Sequence, residues 1–261
     1  MSVEAQRPED KGSDDKAAAR PGLIRPYAPR DRQAVRDICC QTAYRNRGAK
    51  AVCGDEDLFA DYWTLYYTDY EPESAWVAEE NGRVVAYLLG CVETRRFRRI
   101  ANRRIMPRIL AKALWRGALG RYKNKPFRRL FRWIALKSWR EAADVPIEQY
   151  PAHYHCNVVR PEHSKNYYTR LALTFMDCLE ARGCTALHGK TLEPKTGSVF
   201  ERIRRGFTKD NPGWIQYFSE KPTDFYRDVL GEDKEMMNRA FCFRLADYRR
   251  FLQWAAARHH V

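Results

Sequence analysis

Hydrophobic and polar positions alternate along this chain with two distinct periods, and the switches between them outline the elements. Leu23-Ile24-Arg25-Pro26-Tyr27 predicts a short first strand. Pro29 to Asp31 then starts a helix in which Ala34, Val35, Ile38 and Cys39, followed by Thr42 and Ala43, share one face. A second helix is predicted from about Asp55 to Tyr70, with Leu58, Phe59, Tyr62, Leu65 and Tyr66 at helical spacing. Ser74 to Glu80, Asn81-Gly82 and Arg83 to Val92 form the clearest local signal, a hairpin with a type I′ turn.

Next comes a basic stretch. Arg104, Arg108, Lys112 and Arg116 recur every four residues, with Ile105, Ile109, Leu110, Ala113 and Leu114 on the other side. Phe127, Leu130, Phe131 and Ile134 repeat the pattern opposite Arg128, Arg129 and Arg132, so two amphipathic basic helices are expected. His153 to Val159 predicts a strand ending at Pro161, and a helix runs from about Tyr167 to Arg182, stopped by Gly183. A strand over Thr185–Thr191 follows, then a helix from Thr196 to Arg205 closed by Gly206-Phe207. Late strands are expected at Trp214–Phe218 and Arg239–Leu245, with a terminal helix from Tyr248 to Ala257 and no internal repeat.

Composition sharpens this picture at one place. The 261 residues carry a formal net charge of +14, while residues 95–140 hold 17 Lys or Arg and no Asp or Glu. The remainder is therefore slightly acidic, at −3, and the basic character belongs to one insertion. A hydrophobic fraction of 44% with 13% aromatic residues excludes wholesale disorder. Every long apolar run is broken by Lys or Arg, so no membrane span is expected. The first 21 residues mix acids and bases without an apolar core and read as a solvated, disordered tail rather than a signal peptide. Residues 22–261 are then one domain. The eight cysteines include no CxxC pair and fit buried reduced thiols in a cytoplasmic protein.

Four segments carry a family resemblance. Ile24-Arg-Pro-Tyr-Ala-Pro-Arg-Asp-Arg-Gln-Ala-Val-Arg-Asp-Ile38, the hairpin Trp76 to Gly90, the stretch Val158 to Leu173 and the helix Ser198 to Phe207 ending in Gly-Phe resemble, in this order, the GNAT superfamily of acyl-CoA-dependent N-acyltransferases. The opening and Tyr150-Pro-Ala-His-Tyr-His-Cys-Asn157 look more narrowly like the acetyltransferase-like domain of O-GlcNAcases and its stand-alone bacterial relatives. The resemblance covers residues 23–93 and 150–245, leaving the insertion outside it. It implies an α/β fold with a mixed, mostly antiparallel central sheet flanked by helices. It also implies transfer of an acetyl or other acyl group from CoA to an amine on a small molecule or a protein. Acetyl-CoA or another acyl-CoA is the expected co-substrate. Main-chain groups of Val158 and Val159 are expected to hold its pantetheine arm, with Ser164, Lys165, Asn166, Tyr167 and Thr169 around its pyrophosphate.

This sequence departs from the family pattern twice. The family's pyrophosphate loop offers backbone amides at a helix N-terminus, with glycines that let the anion approach. Here Lys165, Tyr167 and Thr169 stand where glycines are expected, so their side chains are expected to crowd the phosphate, although Ser164, Lys165 and Thr169 can also bind it. Phe200 occupies the place of a tyrosine that reprotonates the leaving thiolate in many members, and phenylalanine has no proton to give. Tyr167 and Tyr168 are the replacement candidates, with Tyr168 taken as the acid.

His153, His155 and Asn157 alternate along one strand and project to one face. A neutral imidazole accepts a proton near pH 7, so His155 is the candidate base. The same pair also reads as half-buried structural histidines. No metal site is expected, because His153, His155 and His163 lack a further ligand of suitable geometry. Gly183 to Thr191 resembles a P-loop but has the wrong spacing and runs into a strand, and Cys156 reads as a packed thiol.

The basic insertion admits several readings: a solvated helical cap with its apolar sides on the domain, a lid over an anionic acceptor, or a docking surface for an acidic protein or an anionic membrane. Nucleic acid is not favoured, since no binding motif accompanies the charge. A second reading of the whole chain follows, namely a non-catalytic module of the same fold that docks through residues 95–140.

Overall fold

The computed structural model describes residues 22–122, 125–159 and 166–258; the expected tail lies outside them. Strand β1 (Leu23–Pro26) is followed by helices α1 (Arg32–Asn46), α2 (Ala49–Val52) and α3 (Glu56–Asp69). Strands β2 (Ala75–Glu80) and β3 (Arg83–Cys91) form the expected hairpin. Asn81 and Gly82 both take positive φ, 51° and 74°, as a type I′ turn demands. Then come α4 (Thr94–Ile100), a π-helical segment (Ala101–Ile105), α5 (Met106–Ala118), α6 (Lys125–Leu136) and α7 (Ser138–Glu141). The remaining elements are β4 (His153–Val158), α8 (Tyr167–Ala181), β5 (Ala186–Pro194), α9 (Val199–Asp210), β6 (Tyr217–Thr223), a second π-helical segment (Tyr226–Leu230), β7 (Met236–Arg244) and α10 (Leu245–Ala257).

The strands form two antiparallel sheets, β1-β2-β3-β4 and β5-β7-β6. A parallel bridge between Ala152 and Leu187 joins them, and the His188 amide donates to the Ala152 carbonyl at 2.8 Å. Past that point β4 and β5 diverge. Residues Ala86 to Cys91 of β3 are wholly or nearly buried because helices cover both faces. On one face Leu171, Phe175, Met176 and Leu179 of α8 pack with Leu88 and with Phe251 and Leu252 of α10. On the other, Val35 and Ile38 of α1 and Tyr66 and Tyr67 of α3 pack on Val77, Tyr87 and Leu89.

Two local expectations are corrected. Helix α9 does not close at Gly206 but runs on to Asp210, since a residue without a Cβ lets Trp254 sit against the helix there. Trp214 is not in a strand. It is 2% exposed and stacks on Phe243 and Phe251, and the strand begins at Tyr217.

The insertion is helical over Thr94–Ala118 and again in α6 and α7, and α5 faces the opposite way from a solvated basic cap. Lys112 Nζ reaches Asp57 and Asp61 at 2.6 and 2.9 Å, and Arg116 reaches Asp55 and Asp57 at 2.8 and 2.6 Å. Arg36 of α1 closes the network on Asp57 and Asp61 at 2.5 and 2.6 Å, and the Tyr122 hydroxyl donates to Asp55 at 2.7 Å. Burial works to raise the Asp57 carboxyl, and the hydrogen bonds from Lys112 and Arg116 overcome it, leaving Asp57 at about 2. With the cations turned inward beside Ile105 and Ile109, the Leu110 and Leu114 side of α5 faces outward.

Asp55 is also the N-cap of α3, accepting from the Leu58 amide at 3.1 Å. Asp55→Ala therefore removes a cap and one of the two carboxylates that Arg116 holds, and a loss of about 2 kcal/mol in urea unfolding is expected. Asp55→Asn, which keeps a capping oxygen, is expected to lose clearly less.

Candidate active site

Among the described residues, the parting of β4 and β5 leaves the facing edges of the two sheets without a partner strand. In an antiparallel ladder, alternate residues turn their N–H and C=O groups to the same neighbour. The Val159 amide donates to Val85 at 2.9 Å, so Val159, Asn157 and His155 are tied to β3. Tyr154, Cys156 and Val158 turn their main chain toward the cleft. Of the two residues expected to pair with an extended ligand, Val158 faces the opening, whereas the Val159 amide is already used.

His153, His155 and Asn157 project to the α1–α3 side, as the alternation required. His153 is enclosed. Thr94 donates its one hydroxyl proton to the Pro151 carbonyl at 2.6 Å, so it accepts from His153 Nδ1–H at 2.7 Å. His153 Nε2 then accepts from the Tyr67 hydroxyl at 3.1 Å. Both nitrogens are occupied by neutral partners, and burial, helped by His188, Lys190 and Arg98, holds its pKa well below 6.5. His153 is structural.

His155 is held less tightly. Its ring stacks on Trp63 at 5.0 Å, Nδ1 lies 3.3 Å from the Tyr87 hydroxyl, and Nε2 lies 3.5 Å from Asn157 Nδ2. Asn157 Nδ2 donates at 2.7 Å to the Tyr87 oxygen, which fixes the group. Burial lowers the His155 pKa to about 4, so the ring is neutral at physiological pH.

A third histidine joins them from β5. His188 is buried, with its ring centroid 5.2 Å from that of His153. Its Nδ1–H donates to the Tyr150 carbonyl at 2.8 Å, which leaves Nε2 as a bare lone pair. Burial lowers its pKa to about 4; the Tyr150 bond opposes that shift, and Lys190 and Arg98 add to it. Sequence reasoning passed over His188. The available signal was His188 and Lys190 alternating on the strand next to His153 and His155.

On the opposite face, the Tyr168 hydroxyl lies 2.6 Å from that of Tyr154 and 2.9 Å from that of Tyr248, and Tyr154 and Tyr248 are 2.6 Å apart. Burial pushes the Tyr154 and Tyr168 phenols well above 10, so both stay protonated. The ring of three hydroxyls borders Cys156, a half-buried thiol that desolvation pushes above its usual range. His155 and Tyr168 thus approach β4 from its two faces.

At the N-terminus of α8, Asn166 is left-handed with φ 77° and makes no side-chain cap. The first-turn amides of Tyr167, Tyr168 and Thr169 have no partner within the helix. Tyr167 and Thr169, the side chains expected to crowd the phosphate, are buried rather than displayed at the α8 N-terminus. They are 6% and 4% exposed because their side chains turn into the core, where Tyr167 Oη accepts from the Gly22 amide at 3.2 Å. Thr169 Oγ1 is buried without a hydrogen-bond partner. Ser164 and Lys165 lie outside the described residues, as does the side chain of Phe200. No group of three or more His, Cys, Asp or Glu able to hold a metal is present among the described residues. A separate cavity of about 1060 Å³ lies by the β2–β3 turn, bordered by Arg25, Asp31, Ile38 and Val159, away from the histidines.

No family model matches this sequence, and no curated protein does. Solved structures do match. The chain is similar to SsHAT, at 26% identity and a TM-score of 0.50 over 84% of this chain and 97% of that one. It is also similar to the polyamine N-acetyltransferase of Drosophila melanogaster, which forms N-acetylagmatine, at 13% identity and TM-score 0.44 over 85% and 99%. A serine-to-alanine variant of an agmatine N-acetyltransferase in its apo form aligns at 13% and 0.42 over 86% and 99%. At that identity and score, these last two likenesses bear on neither acceptor nor site.

The histidines make folding pH-dependent. Their folded values of about 4 lie below the ordinary 6.5, so the unfolded chain binds more protons as the pH falls. The stability they contribute is complete above pH 6.5 and is lost as the pH falls from there toward 4. Thermal midpoints are expected to fall between pH 7 and 4.5, with a shallower fall in His155→Gln and His188→Gln.

Proposed function

We propose, taking the GNAT N-acyltransferase fold as the premise, that this chain transfers an acyl group from acyl-CoA directly to the amine of an acceptor small molecule. The observation that carries this reading is the unpaired edge of β4 at Tyr154, Cys156 and Val158, set between a neutral histidine on one face and protonated phenols on the other. An extended amide-bearing arm fits such an edge by main-chain pairing, and the free α8 amides suit an anion beyond it. Ser164, Lys165 and Asn166 complete that end in this reading, beside the first-turn amides of Tyr167, Tyr168 and Thr169.

Bound acyl-CoA supplies the activated acyl group as a thioester. His155 accepts the proton that the amine loses on acylation; its ring is neutral at neutral pH and so has one nitrogen lone pair able to take it. Its low pKa makes it a weak base, suited to a proton released as the nitrogen becomes an ammonium-like centre rather than to stripping a free ammonium ion. Tyr168 delivers a proton to the departing sulfur, and Tyr154 and Tyr248 can donate to it in turn through the hydroxyl ring. Trp63 and Tyr87 fix the His155 ring. The nearby cations Arg98 and Lys190 favour an acceptor that carries an anionic group besides its amine.

Titration calorimetry with acetyl-CoA and longer acyl-CoAs is the decisive test, and binding of at least one is expected. Absence of heat with all of them sinks the enzyme reading. His155→Gln is expected to lower kcat about 10²-fold or more with acyl-CoA affinity unchanged. Tyr168→Phe is expected to lower kcat by about tenfold or more, with acyl-CoA affinity again retained.

A further inference from the structure

The outward side of the insertion is independent of the acyl-transfer reading. Leu114, Trp115 and Leu119 are 74%, 68% and 62% exposed, and Leu110 is 45% exposed. On α6, Phe131 and Ile134 are 53% and 45% exposed. A monomeric protein in water rarely leaves so many large apolar side chains uncovered on neighbouring helices. The charge around them has one sign. Arg103, Arg104, Arg128 and Arg132 are exposed and have no carboxylate partner among the described residues, and residues 95–140 contain no acid at all.

We propose that α5 and α6 form a docking face for an anionic lipid bilayer, with α5 lying in the plane of the headgroups. The orientation follows from the inward network. Because Lys112 and Arg116 are committed to Asp55, Asp57 and Asp61, the leucine side of α5 cannot rotate into the protein without breaking four ion pairs. The occupant follows from complementarity. A surface meeting this face must accept aliphatic side chains and tryptophan and also present negative charge over two helices, and an anionic bilayer offers both together. Tryptophan and arginine suit the boundary between acyl chains and headgroups. Spanning is ruled out for the described helices, none of which is long and apolar enough to cross a membrane.

The test is co-sedimentation of the full chain with vesicles of phosphatidylcholine alone or of roughly three parts phosphatidylcholine to one of phosphatidylserine. Binding to the anionic vesicles is expected near 0.1 M salt, with release near 1 M, and little binding to the neutral ones. The double variant Leu114→Glu/Trp115→Glu should weaken binding at least about tenfold. Arg103→Glu/Arg104→Glu should weaken it selectively on anionic vesicles. These positions are exposed, so circular dichroism and the thermal midpoint should not move. Failure to sediment with anionic vesicles, or equal sedimentation with both lipids at every salt concentration, overturns the proposal. So does unchanged binding by the leucine–tryptophan variant. A dimer in sedimentation velocity that this variant dissolves, without vesicle binding by the native chain, assigns the face to a second copy instead.

Discussion

Everything that the site can do depends on one backbone hydrogen bond being followed by none. The His188 amide meets the Ala152 carbonyl, and beyond it β4 and β5 separate. A continuous sheet would have consumed the polar edge of β4 in a ladder. The parting leaves Tyr154, Cys156 and Val158 with main-chain groups in need of a partner, which is costly in a sheet interior unless a ligand or water supplies it. The same bond places His188 beside His153 and fixes the distance between the two histidine-bearing strands. The helices on the two faces then turn a structural gap into a chemical one. Those on one side deliver Trp63 and Tyr67 to the histidines, and those on the other deliver Tyr168 and Tyr248 to Tyr154.

A second constraint governs the insertion. Helix α5 has two sides that could be buried, one aliphatic and one cationic, and the hydrophobic effect alone favours the aliphatic side. The outcome is decided by α3, whose N-cap and first two turns carry Asp55, Asp57 and Asp61. Three carboxylates facing Arg36, Lys112 and Arg116 give a network in which each charge has more than one partner, and such networks outweigh isolated surface pairs. Ile105 and Ile109 share the cationic side and add apolar burial to it. The leucines of the other side are left over.

Much of the fold was legible because its signals are local. The Asn81-Gly82 turn, the helical stripe of α1, the glycine after α8 and the alternation of His153, His155 and Asn157 each report on a few consecutive residues, and each is realised. Gly206 and Trp214 misled for the same reason. A Gly-Phe pair looks like a helix end, and an aromatic run looks like a strand, until Trp254 and Phe251 are known to pack there. The crowding expected from Tyr167 and Thr169 assumed side chains aimed at the ligand, whereas the core behind α8 claims them.

By itself the sequence determined the order of elements, the residues sharing each face and the confinement of positive charge to one helical segment, because periodicity and charge are properties of neighbours along the chain. Only the tertiary structure decided which nitrogen of which histidine is free, which strand edge lacks a partner and which side of α5 meets water. Those depend on groups far apart in sequence. His188 meets Tyr150 and His153 across the strand boundary, and Lys112 and Arg116 meet α3 from 51 to 61 residues upstream. The +14 of the whole chain named neither. Packing turned that charge inward at α5 and left an apolar face beside unpaired arginines.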